Sequence, residues 1–126
     1  MKIVFGDRES GVQVPAPHER EIKLLLGPDK YDVSEVRCNI VTIPQGGKTT
    51  VHAHDRPELI FVIAGQGVCV SQQGETVIYP ESLIWAEKGD QHQIRNDQPG
   101  VLKLFTLFVP GFTSDKALYN QQLNPK

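Results

Sequence analysis

Turn-forming clusters cut this chain into short pieces. Gly27-Pro28-Asp29, Pro44-Gln45-Gly46-Gly47, Asp55-Arg56-Pro57, Gly65-Gln66-Gly67 and Gln73-Gly74-Glu75 come first. Pro80-Glu81-Ser82, Glu87-Lys88-Gly89-Asp90, Asp97-Gln98-Pro99-Gly100 and Pro110-Gly111 follow. Turn signals at intervals of roughly 8–12 residues are the mark of an all-β sandwich or barrel. The pieces between them read as strands at 22–26, 35–43, 59–64, 68–72, 76–79, 83–86, 91–96 and 101–109. No amphipathic helix of useful length appears before residue 113. A short C-terminal helix is expected over 114–123, with Thr113 or Ser114 as its N-cap and Asp115 in the first turn. A two-Greek-key, double-sheet jelly roll fits this order of elements.

With 126 residues the chain reads as one domain, with enough length for one packed core. The barrel core is placed at about residues 35–110. Residues 1–21 read as an extended edge arm around Val12, Val14, Pro15 and Pro17, of the kind that pairs with a neighbour or a partner subunit. A net charge of −2 without a basic stripe argues against nucleic acid. The start, Met1-Lys2-Ile3-Val4-Phe5, has too short an apolar run for a signal peptide or a membrane span, so a cytoplasmic protein is expected. Cys38 and Cys69 lie inside predicted strands, outside any C-x-x-C pair, and read as reduced, buried thiols.

The chemistry concentrates in one stretch. His52 and His54 are two residues apart, and in an extended strand such residues face the same way. Asp55-Arg56-Pro57 breaks the strand, and Glu58 begins the next. Two imidazoles and a returning carboxylate make three-quarters of a mixed nitrogen/oxygen metal site. Of the other two histidines, His18 sits among prolines and charges and reads as a solvated surface residue. His92, just past the Gly89-Asp90 turn, is taken as the fourth ligand. Such a donor set suits Fe, Mn, Ni, Co, Cu or Zn, not calcium or magnesium, and it leaves positions open.

These residues carry a family resemblance. Gly46, His52, His54, Glu58 and Gly65 resemble the first cupin motif at every marked position. Gly89, His92 and Asn96 are similar to the second half of the second cupin motif. Its usual proline is replaced by Glu87 and its first glycine by Glu81. The resemblance covers roughly residues 35–110 and implies the double-stranded β-helix fold. Resemblance to small cupins also favours Phe105 and Leu107 facing inward. With Glu58 inward, alternation sends Ile60 and Val62 inward too, so the expected pocket is Ile60, Val62, Phe105 and Leu107 around one metal. Cupin lyases often carry a tyrosine two positions after the metal-binding glutamate; here that position is Ile60, which disfavours a tyrosine-based lyase mechanism.

Several readings stay open. Asn96 is either an outer support of the site or a turn residue, and Trp85 either walls the pocket or packs. Either face of the 35–43 strand could line the barrel. If Arg37 and Asn39 face inward, they could hold an anion. The expected function is a metal-dependent enzyme of dioxygenase type acting on a small oxygen-rich organic molecule. The alternatives are a redox-neutral isomerase, lyase or decarboxylase on a sugar or acid, and a non-catalytic ligand-binding module. The apolar strand 59–64 and the N-terminal arm together suggest a homodimer.

Overall fold

The computed structural model describes residues 1–51 and 53–113. The histidine at 52 and the helix expected over 114–123 lie outside the described residues. Nine strands form among those described: β1 Val12–Val14, β2 Arg20–Leu26, β3 Arg37–Ile43, β4 Glu58–Ala64, β5 Gly67–Ser71, β6 Gly74–Ile78, β7 Leu83–Ala86, β8 His92–Arg95 and β9 Leu102–Phe108. Among the described residues the one helical turn is a 3-10 turn at Gly6–Arg8. A six-stranded antiparallel sheet runs β1-β2-β3-β9-β4-β7, and a three-stranded sheet runs β6-β5-β8. This is the jelly-roll arrangement that the turn spacing predicts.

The N-terminal arm pairs within its own chain. Val12 and Val14 face Ile22 and Arg20 of β2, so β1 becomes the sheet's edge strand. The strand β2 also starts two residues earlier than expected, at Arg20, which brings that residue into the sheet.

Strict alternation decides which side chains go inside. On β3, Arg37, Asn39, Val41 and Ile43 are buried while their neighbours are half-exposed. On β9, Leu102, Leu104, Thr106 and Phe108 are buried. The register pairs these rows directly: Asn39 with Thr106, Val41 with Leu104, Ile43 with Leu102. Phe105 and Leu107 therefore point to the outer face, which corrects their expected inward placement. A one-residue shift of parity exchanges a strand's two faces entirely, and a strand apolar on both faces carries no parity signal of its own.

The deep interior is a plug of Val41, Ile43, Val62, Ile94, Leu102 and Leu104, with Ile60 and Ile78 completing it. Burying each such side chain contributes roughly 1.5–3 kcal/mol. Asn96 ties the loops beneath this plug. Its Nδ2 donates to Ile43 O and Gly100 O, both at 2.9 Å, and its Oδ1 accepts from Gln98 N at 3.0 Å. The partners are backbone groups at the end of β3 and in the 97–100 turn, so Asn96 pins that turn to the sheet.

Two backbone positions show what the turns demand. Gly65 has φ +84, and a Cβ there would sit 2.3 Å from Val101 O. Glu81, where the resembled motif has glycine, has φ +74 and donates its N–H to Val62 O. A non-glycine residue in this region is disfavoured by about 1–2 kcal/mol. Glu81→Gly should therefore raise stability by up to about 1 kcal/mol in urea unfolding, after the added freedom of the unfolded chain is counted. Gly65→Ala should destabilise by more than that, because the carbonyl contact adds to the backbone strain.

Candidate metal centre

His54, Glu58 and His92 meet inside the barrel. Each offers one donor atom, and the three donors lie within 4.8 Å of one another. Glu58 Oε1 is 2.9 Å from His92 Nε2 and 3.5 Å from His54 Nε2. Two ligands of one ion, each bound at about 2.1 Å, stand about 3 Å apart when they meet it at right angles. The observed separations suit a shared ion of that kind.

Each donor is placed by its own local structure. Glu58 opens β4, paired with Ala86 on one side and Phe108 on the other, so its inward direction is set twice. His92 opens β8. Its Nδ1 donates to Asp90 O at 2.9 Å, which turns Nε2 toward the carboxylate. The Glu87–Asp90 turn is held by Glu87 N donating to Asp90 Oδ2 at 3.0 Å. His54 arrives on the segment linking β3 to β4. Lys48 bridges to Arg95, Thr49 N donates to Ile94 O at 2.8 Å, and Gly89 N donates to His54 O at 3.0 Å. These contacts lay the segment alongside β8 and carry His54 to His92. The Phe108 ring meets His54 edge-on at 4.7 Å and contacts Phe112 at 5.1 Å. The guanidinium groups of Arg37 and Arg56 stack on Phe112 at 4.9 and 4.7 Å, closing that end.

Burial pushes the Glu58 carboxyl above its ordinary range, although the His92 hydrogen bond and charge pull the other way. Burial resists charging of His92, but the hydrogen bond and charge of Glu58, with help from the Asp90 carbonyl, raise it above the ordinary imidazole value. The pair thus holds a proton above the ordinary range of a carboxyl in water. A metal ion taking both donors must displace that proton.

The donors open onto a cavity of about 60 Å³. That is room for about four to six water-sized groups. Ile22, Val41, Ile60, Ile94, Leu104 and Phe108 form its apolar wall. Arg20, Asn39, Thr49, Thr50 and Thr106 form a polar one. Of the four expected lining residues only Ile60 belongs to it: Val62 sits deeper in the apolar plug, and Phe105 and Leu107 are on the outer face. Arg20 is 3% exposed, and its Nη1 donates to His18 O at 2.8 Å and reaches Lys48 O at 3.5 Å. Burial brings its guanidinium down to about 10, so it stays charged at neutral pH. The alternation that marks Ile22 as inward also marks Arg20 two residues earlier, had the strand been extended to include it. Asn39 does face inward, whereas Arg37 is held at Phe112 O, 3.2 Å away, and Asp29, outside the cavity wall.

The family model for the cupin domain matches residues 39–109, more than half of the chain. The chain belongs to the cupin family. It is 29% identical over 107 residues to an L-ectoine synthase of Vibrio parahaemolyticus, a match covering 84% of this chain and 81% of the relative. The cupin barrel also superposes on the crystal structure of a predicted oxalate decarboxylase from Thermotoga maritima. There the TM-score is 0.78 at 17% identity, covering 86% of this chain and 99% of the other. Ectoine synthase from P. lautus gives a TM-score of 0.78 at 16% identity, covering 97% and 87%. Similarity at that identity speaks for the fold alone.

Metal-loaded protein should lose its stoichiometric ion on His54→Ala, Glu58→Gln or His92→Ala, and keep it on His18→Ala. Elemental analysis after gel filtration checks this. Chelation should lower the melting temperature of the unsubstituted cupin, because metal binding is coupled to folding.

Proposed function

We propose that this cupin is a metal-dependent enzyme performing redox-neutral chemistry, of lyase or ring-closing type, on a small oxygen-rich organic molecule. The observation that carries this reading is the mixed wall around the donor cluster, where Arg20, Asn39 and Thr106 stand among hydrocarbon side chains. His52 is proposed as the fourth donor beside His54, Glu58 and His92, on the strength of its place in the H-x-H pair. A divalent transition metal held there would supply Lewis acidity, stabilising negative charge that develops on a bound oxygen.

The chain's own residues then have defined tasks. Arg20 brings a fixed positive charge to the cavity, and Asn39 and Thr106 bring hydrogen-bonding groups that orient a ligand. Ile60, Leu104 and Phe108 exclude water, which strengthens those polar contacts. Similarity over most of the chain to two L-ectoine synthases of Vibrio species supports a synthase acting on a small molecule. The dioxygenase reading rested on an apolar pocket, and the polar wall weighs against it. Metal-loaded protein should convert a small hydroxy or amino acid under nitrogen, followed by proton NMR, without consuming oxygen in an electrode. Turnover only in air, with oxygen consumed, would restore the dioxygenase reading.

We also propose a homodimer formed through the outer face of the six-stranded sheet. Leu59 lies beside Leu107 and Trp85, and Phe61 lies beside Phe105 and Leu83. Cys38 and Ile40 continue the two rows on β3. Leu83 and Trp85 are 61% and 49% exposed, a large apolar area for a lone subunit to leave in water. Light scattering at micromolar concentration should give twice the monomer mass, and Phe61→Glu should return it to one.

A further inference from the structure

One buried polar atom of a cavity-lining residue has no partner among the described residues. Asn39 is 4% exposed, and its Nδ2 donates to Thr106 Oγ1 at 3.3 Å, yet its Oδ1 accepts from none of the described residues. A buried acceptor left unpaired costs free energy that an apolar side chain of the same shape would avoid. Its retention in a cavity wall points to a donor that arrives from outside the protein.

The register locates that donor. On the inward face, Glu58 and Ile60 are successive residues of β4. Ile60 is paired with Thr106 of β9, and Thr106 with Asn39 of β3. Asn39 therefore lies two strands from the glutamate strand, about 10 Å at ordinary strand spacing. A small ligand lying over Thr106 sits between the donor cluster and Asn39. Arg20, whose neighbour Glu21 pairs with Thr42, reaches the same cavity from the Ile43 end of β3 and brings a positive side chain. Guanidinium groups in dry sites favour carboxylates over neutral groups.

We infer that Arg20, Asn39 and Thr106 form the recognition subsite of this cavity for a small carboxylate that also carries a hydroxyl or N–H donor, the donor being accepted by Asn39 Oδ1. The inference rests on the proposed enzymatic use of the cavity and names its substrate class. The volume limits such a ligand to a few non-hydrogen atoms beyond the metal's own space. Asn39 and Arg20 act here as specificity-determining residues; neither moves a proton in this scheme.

Three probes separate the features: 3-hydroxypropionate, propionate, and 3-hydroxypropionamide. Calorimetric titration of metal-loaded protein, with its metal content measured beforehand, should show 3-hydroxypropionate binding at least tenfold tighter than either of the others. Asn39→Leu should erase the preference over propionate while leaving the melting temperature unchanged or higher. Those two results together are not expected of a residue that merely holds the fold. Arg20→Lys, which keeps the charge but loses the planar fork, should weaken the preference over the amide at least threefold; circular dichroism checks that it folds. The subsite is overturned if Asn39→Leu lowers the melting temperature and leaves the hydroxyl preference intact, the behaviour of an amide satisfied by internal water. It is equally overturned if fully metallated wild-type protein does not discriminate. Protein that discriminates among the probes but never retains metal would refute the metal reading and leave the subsite standing.

Discussion

A carboxylate buried between imidazoles governs this structure. Taking the charge of Glu58 out of water costs several kcal/mol unless cations or hydrogen bonds compensate it. The compensation comes from sequence positions far from it, since His92 is 34 residues away and reaches it at 2.9 Å. The barrel has to close for that contact to exist. Both flanking strands of β4 fix the direction of Glu58, and the 48–54 segment must lie against β8 for His54 to complete the cluster. The histidine site and the closure of the two sheets are therefore one structural event, and an ion bound there would stabilise both.

The cavity above this cluster divides into a water-excluding side and a polar side. The division follows from parity. Inward positions of β3 read Arg37, Asn39, Val41 and Ile43 from one end to the other, and those of β9 read Phe108, Thr106, Leu104 and Leu102 beside them. Polar groups thus gather toward the glutamate end and hydrocarbon toward the base. Arg20 at the opening of β2 is the exception: its neighbour Glu21 pairs with Thr42, so it reaches the cavity from the Ile43 end. Enzymatic sites are commonly built this way, with a packed floor holding a few polar groups in fixed directions.

Much of this was legible in the chain. The turn clusters mark every break from β2 to β9, and the H-x-H pair, the returning glutamate and the histidine past the Gly89-Asp90 turn point to His54, Glu58 and His92. The cavity wall was harder. The stretch from Leu102 to Phe108 alternates two apolar sets, so hydrophobicity alone does not say which set faces in; pairing with β3 decides it. Arg20 was missed because a charged residue next to a proline-rich arm looks like surface, and only β1 pairing over it makes it interior. Asn96 satisfies both a motif position and a turn position, and its three backbone bonds show that the turn uses it. Glu81 shows the opposite case, a turn whose backbone keeps the shape that glycine would favour although the residue has changed.

The central claim is that one ion unites these side chains. The direct measurement is anomalous diffraction at the absorption edge of the metal found in the purified protein. The account predicts a single strong peak about 2.0–2.2 Å from Glu58 Oε1, His54 Nε2 and His92 Nε2. Full-occupancy crystals with the anomalous peak elsewhere, and with Glu58 still hydrogen-bonded directly to His92, would contradict it.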